Sequence, residues 1–297
     1  MSNARQSKVL SSTLSRVKCV SYRFDGKVRY GVVSGEGIID ASSRLDGATT
    51  LRDVLDQGRI EELRELTTAS ADHDVTHVEF SLPITEPRKI LCAGRNYRAY
   101  HELAAHAEAP EYPSIFSRFA SSFSPHQQAL WKPTAGEHLD YEGELAVVIG
   151  KRGRHIAEER ALEHVLGYTC MNEGTVRDWM RKGTQNTPAK NFDRSGGLGP
   201  WVVTADEVPD PSRLRMTTRR NGRVVQDGGT ELMIFSVPFL IAHISKFTEL
   251  EPGDVIATGS PGGSAVEGHP PEWLRAGDEI EVEISGIGTL RNPVVAE

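Results

Sequence analysis

The residues with the clearest chemical potential are the acids of Leu139-Asp140-Tyr141-Glu142-Gly143-Glu144-Leu145. Val147, Val148 and Ile149 make this a strand, and strand side chains alternate, so Asp140, Glu142 and Glu144 are expected on one face with Gly143 on the other. Carboxylates within about 7 Å of one another repel unless a cation neutralises them. Oxygen donors of this kind suit Mg²⁺, Mn²⁺ or Ca²⁺ better than zinc. From this segment alone a cation site and a solvated acidic edge both stay open. A second strand reads to Asn172 and ends in Glu173, which can bring a third carboxylate from a separate element. Arg177 lies four residues on, where its guanidinium could meet a carboxylate as a bidentate fork. Lys190 is a further cation.

These groups need elements to hold them. Residues 17–33 read as a β-hairpin about Asp25-Gly26, and residues 51–66 have helical spacing interrupted at Gly58. Two prolines in 82–87 mark the expected boundary between a small β-rich domain, 17–84, and a catalytic domain, 85–297, with a flexible tail over 1–16. In the larger part, strands are expected at 89–93, 145–149, 168–172 and 201–204. A hairpin is expected about Asn221-Gly222, and helices at 157–166 and 236–247, the latter capped by Ser236. Strands outnumber helices without regular alternation, so the fold class is α+β.

The chain has 297 residues, 28 of them glycine, and 38% hydrophobic residues. That suffices for a sizeable core. A net charge of −7 argues against nucleic acid as a partner and requires an anionic substrate to be attracted locally. Three distant cysteines, Cys19, Cys92 and Cys170, suggest neither disulfides nor a thiolate zinc site, and point to a reducing, cytoplasmic setting. No apolar run is long enough to span a membrane. Residues 1–18 carry Arg5, Lys8, Arg16 and Lys18 and no acid, as organellar presequences and plain tails both do.

Several blocks occur in an order that resembles the fumarylacetoacetate hydrolase family. They are Leu91-Cys92-Ala93-Gly94-Arg95-Asn96-Tyr97, Tyr112-Pro113-Ser114-Ile115-Phe116, the Asp140–Leu145 acids, Gly167-Tyr168-Thr169-Cys170-Met171-Asn172-Glu173, Arg177-Asp178, Lys190-Asn191-Phe192-Asp193, Gly199-Pro200 and Leu250-Glu251-Pro252-Gly253-Asp254-Val255-Ile256-Ala257-Thr258-Gly259. The match runs over about residues 88–292. The resemblance implies a mixed β-roll or barrel-like catalytic domain, usually homodimeric. It implies a divalent cation, Mg²⁺ or else Mn²⁺ or Ca²⁺, on Glu142, Glu144 and Glu173, with Lys190 catalytic and Arg177, Thr258 and Gly259 binding a small anionic 2-oxo acid.

The activity implied first is metal-dependent hydrolysis of a C–C bond in an acylpyruvate or related 2,4-dioxo acid. Decarboxylation of a 2-oxo acid, tautomerisation of a dienol, or metal binding without catalysis are the alternatives. Four departures bear on this choice. Glu173 stands where members usually have Asp, with the small Gly174 beside it to make room. Met180 stands where a Gln is frequent. Residues 262–269 replace a short glycine-valine-glycine turn. Finally, the hydrolytic His–Glu pair one helical turn apart is missing: His101 is displaced by one place, Ala104 follows three residues later, and adjacent His101 and Glu102 diverge by about 100° on a helix. His101 is nevertheless the expected general base, in a short lid spanning residues 96–106.

Overall fold

The computed structural model describes residues 17–98 and 110–297. His101, His106 and the centre of the expected lid lie outside the described residues.

The hairpin about Asp25-Gly26 forms from Lys18–Phe24 and Lys27–Ser34, and the one about Asn221-Gly222 from Arg215–Arg220 and Arg223–Gly229. The helical stretch with Gly58 at its centre becomes two helices, α1 (Leu51–Asp56) and α2 (Ile60–Leu66). Thr50 caps α1 with a reciprocal capping box to Asp53, which satisfies two otherwise orphaned N–H groups. The 236–247 helix appears as Val237–Phe247 with the Ser236 side chain accepting from the Phe239 N–H. The expected helix at 157–166 is instead a 3₁₀ segment, Glu158–His164, because Val165 is already drawn into the next strand by pairing with Ile149.

A large mixed sheet organises the molecule. Its order runs His73–Asp74, Gly37–Asp40, Lys27–Ser34, Lys18–Phe24, Gly196–Thr204, Val165–Asn172, Gly143–Ile149, Val255–Ala257, Ile90–Gly94, Ser114–Arg118. Most pairings are antiparallel; Val255–Ala257 runs parallel to Ile90–Gly94. A second sheet is ordered Arg223–Gly229, Arg215–Arg220, Glu279–Ile284, Gly288–Ala296, Leu130–Lys132. Among the described residues the strand order stays open, so the sheets do not close into a barrel. The N-terminal hairpin joins the large sheet directly, Lys18 opposite Val203 and Cys19 opposite Val202.

The central strand Gly143–Ile149 is buried along its whole length. Leu145, Val147 and Ile149 pack on one side with Met216, Val282 and Ile284 of the second sheet and Ile241 and Ile244 of the helix. Ala146 and Val148 face two other apolar clusters. Covered on both faces, the strand reads from Leu145 to Ile149 as an unbroken apolar run rather than an alternating one. At Gly143 the sheets approach so closely that a Cβ would lie 2.2 Å from Thr218 Oγ1. All three cysteines are free and buried. No helix among the described residues is long and apolar enough to cross a membrane.

Candidate active site

The paired ends of the two central strands set the site. Gly143 lies opposite Asn172 and Glu144 opposite Met171. Just beyond this register the Glu173 N–H donates to the Glu142 carbonyl at 2.7 Å, and the Glu142 N–H donates to Asn172 Oδ1 at 3.0 Å. Sheet pairing therefore brings Glu142 and Glu173 together although they are far apart in sequence. Gly174 is required by a backbone contact: a Cβ there would fall 1.8 Å from the Ser195 carbonyl oxygen. Close backbone packing against Ser195 thus calls for glycine at 174 independently of the length of the Glu173 side chain.

Glu142, Glu144, Glu173, Arg177, Lys190 and Gly259 line one cavity of about 310 Å³, together with Arg95, Phe116, Met180, Ser264 and Glu267. Lys190 Nζ donates to Glu142 Oε2 and, at 2.8 Å, to Glu173 Oε2. Thr175 Oγ1 donates to the same Glu142 oxygen at 2.7 Å. Burial works against the Glu142 carboxylate, but the charges of Arg177 and Lys190 outweigh it and hold the group down to about 2. Burial likewise opposes the Lys190 ammonium, and the Glu142 and Glu173 charges reverse that and raise its pKa. Glu144 behaves oppositely. Burial first, then the Glu173 and Glu142 charges, push it well above its ordinary value, despite Lys190 and the Gly259 N–H that donates to its Oε2 at 2.8 Å.

Three expectations need correction. Asp140 does not share a strand face with the glutamates. The chain breaks at 141–142, and Leu139–Asp140 pairs separately with Thr175–Val176. The fully buried Asp140 carboxylate accepts from the N–H groups of Ala265 (2.7 Å), Val266 (3.2 Å) and Tyr141 (2.8 Å). Arg177 is not an open fork for substrate: its Nε donates to Asp140 and its Nη2 to Glu142, each at 2.7 Å. The Thr258 hydroxyl donates to the Leu145 carbonyl at 2.9 Å, inside the sheet. Thr258 thus holds Gly259, whose N–H positions Glu144.

Two residues of the scaffold carry no chemical signal in the sequence. The buried Arg118 donates through Nη1 to the Gly174 carbonyl at 3.0 Å and through Nη2 to Ser195 Oγ at 3.1 Å, which supports the turn behind Glu173. Asn96 donates through Nδ2 to the carbonyls of Phe235 (2.9 Å) and Thr258 (2.7 Å) and accepts from the Phe235 N–H (2.7 Å). Its position beside Tyr97 in a block following a buried strand was the one available clue.

The donor set fits a divalent cation. Three carboxylates share the cavity, Glu173 Oε1 is buried with no hydrogen-bond partner, and Glu144 is electrostatically frustrated by its neighbours. Hard oxygen ligands under these conditions favour a hard cation. With the Lys190 ammonium between Glu142 and Glu173, no cluster of three acid, His or Cys side chains among the described residues is gathered closely enough to ligate one without rearrangement.

Residues 89–295 match the family model described as fumarylacetoacetate (FAA) hydrolase C-terminal. The human mitochondrial protein named oxaloacetate tautomerase FAHD2A is 44% identical over 223 residues, covering 74% of this chain and 70% of its own. The Bacillus subtilis oxaloacetate tautomerase YisK is 40% identical over 225 residues, covering 75% of each. Among solved structures, maleylpyruvate hydrolase from Sphingobium sp. SYK-6, in complex with manganese(II) ion and pyruvate, superposes with a TM-score of 0.79 at 26% identity, covering 94% of this chain and 99% of that one.

Proposed function

Because the chain belongs to the fumarylacetoacetate hydrolase family, we propose that it is a tautomerase interconverting the enol and keto forms of a small 2-oxo dicarboxylic acid of the oxaloacetate type. The observation that carries the reading is the buried triad of Lys190 between Glu142 and Glu173. Tautomerisation moves one proton between carbon and oxygen and needs no activated water. The Lys190 ammonium can give a proton from Nζ to the enol carbon and then, as the neutral amine, take up the enol hydroxyl proton, so that it ends each turnover charged as it began, the state that Glu142 and Glu173 favour. The relatives named oxaloacetate tautomerases support the choice over C–C hydrolysis, as does Ala104 in place of a Glu three residues after His101.

Glu142, Glu144 and Glu173 would hold the divalent cation, whose Lewis acidity stabilises negative charge on an enolate oxygen when bound. This chain's own residues do the rest. Asp140 and Arg177 orient Glu142, and the Gly259 N–H orients Glu144. A cavity of about 310 Å³ suits a substrate of a few carbon atoms.

The test follows the ultraviolet absorbance of enol-oxaloacetate as it relaxes to the keto form, with Mg²⁺ or Mn²⁺ present. Wild type is expected to accelerate the relaxation, and Lys190→Met to lose about 10²–10⁴-fold in kcat. An unchanged relaxation rate together with cleavage of an acylpyruvate would overturn tautomerisation in favour of hydrolysis.

A further inference from the structure

We infer that Gln226 is a positioning residue of the site: its buried amide ties the strand that carries Glu142 and Glu144 to the Ser260-Pro261 wall of the cavity and fixes the one relative to the other. The inference rests on the tautomerase reading for the substrate assayed, whereas its consequence for metal binding follows from the acids of the cavity alone. Gln226 belongs to Arg223–Gly229, the edge strand of the second sheet, and is 2% exposed. Its side chain reaches two segments remote in sequence. Oε1 accepts from the N–H of Gly143, the residue between Glu142 and Glu144, at 2.9 Å. Nε2 donates to the Pro261 carbonyl and to Ser260 Oγ, each at 2.9 Å. Only one orientation of the amide serves both segments, because an N–H must meet an acceptor and a carbonyl must meet a donor. Without that side chain, the Gly143 N–H and the Pro261 carbonyl would lose these partners in the interior.

The local backbone is built for this reach. Thr218 pairs with Gln226 and Arg219 with Val224, so Val225 is left over in a β-bulge. Bulges re-aim side chains and concentrate at sheet edges and beside active sites. The Val225 carbonyl lies against Gly263, where a Cβ would fall 2.4 Å from its oxygen. The turn after Val255–Ala257 is thereby held at successive residues. The Gly259 N–H bonds to Glu144, Ser260 and Pro261 bond to Gln226, and Gly263 packs on the bulge. Gly259, Ser260 and Pro261 line the same cavity as Glu142, Glu144 and Glu173. A displaced Gln226 would shift the acids against this wall. That alters how the carboxylates converge on a cation and how a substrate is seated beside them.

The experiment measures manganese(II) binding by titration calorimetry and, at saturating manganese, the relaxation of enol-oxaloacetate. It uses wild type, Gln226→Met and Gln226→Asn, each checked by circular dichroism and thermal melting. Met fills a similar space without the hydrogen bonds, and Asn keeps the amide but is one methylene too short to span both segments. Both variants are expected to bind manganese about 10- to 100-fold more weakly and to raise KM about 10-fold. The kcat should fall less, because Lys190 keeps its own bonds to Glu142 and Glu173. Folded variants that melt earlier but keep the wild-type manganese affinity and KM would show that Gln226 only joins the sheets, and would overturn the inference. Wild type that binds manganese without accelerating the relaxation overturns the tautomerase reading alone, and the manganese affinities of the variants still decide for or against Gln226. Wild type that binds no manganese overturns the inference outright.

Discussion

Glu142 and Glu144 are two residues apart and oppositely perturbed. Glu142 is flanked by two cations and held near 2, so it contributes stability above its ordinary value of 4.5 that is lost as the pH falls through about 2. Glu144 is pushed upward, so the folded chain prefers it protonated. Once the unfolded chain ionises it near 4.5, its contribution turns unfavourable as the pH rises, until the folded group ionises as well. At neutral pH in chelator, Glu144→Gln is therefore expected to melt at a higher temperature than wild type, by about 2–4 °C for each kcal/mol of repulsion relieved. Manganese should raise the melting temperature of wild type by mass action and that of the variant much less. Calorimetry with and without metal checks both. A Glu144→Gln protein that is less stable in chelator and equally stabilised by manganese would show that Glu144 is neither frustrated nor a ligand.

At the scale of elements, the turn following Val255–Ala257 connects the sheet to the site. Thr258 bonds back to Leu145, and Gly259, at φ 98°, aims its N–H at Glu144. A Cβ on Gly259 would lie 2.8 Å from Asn96 Cβ and 3.2 Å from the Ala93 carbonyl oxygen, in a backbone conformation that already disfavours a side chain. Gly259→Ala is expected to cost about 1–3 kcal/mol in denaturant unfolding. It should also lower kcat/KM, because relieving the contact turns the N–H away from Glu144. Wild-type stability and activity in this variant would mean that the turn is slack and that Glu144 is held by other means.

For the whole molecule, the decisive contact is the pairing of Lys18–Phe24 with Gly196–Thr204. Val148, Leu166 and Val202 of the central sheet share one apolar cluster with Val32, Ile39, Leu51, Val54 and Leu63 of the N-terminal unit. Removing residues 17–84 would expose that face and leave the edge of Gly196–Thr204 unpaired there, a template for aggregation. We therefore expect one cooperative thermal transition for the full chain and an insoluble product from residues 85–297 expressed alone. Two separable calorimetric transitions, or a soluble and active fragment, would show instead that the N-terminal unit is an independent domain.

The sequence by itself was enough for the local structure: both two-residue hairpins, the Ser236 cap, the interruption at Gly58, and the acids that line the cavity. These follow from neighbouring residues, through turn chemistry, capping and side-chain alternation, so they are legible in a linear string. It was also enough for the family, because ordered blocks survive where single motifs are weak. Whatever depends on which distant groups meet had to await the tertiary structure. Alternation put Asp140 on the face of Glu142 and Glu144, but a break at 141–142 turned it toward Arg177 and the backbone of Ala265. Arg177 read as a fork for substrate until two buried carboxylates were found to hold it. Arg118 had no local signature and Asn96 only its place in a block, since a buried side chain that bonds to remote backbone is defined only by the chain that folds against it. Pairing of Gly143 with Asn172 is what makes Glu142 and Glu173 neighbours on either side of Lys190, and strand register is a property of two segments rather than of either one.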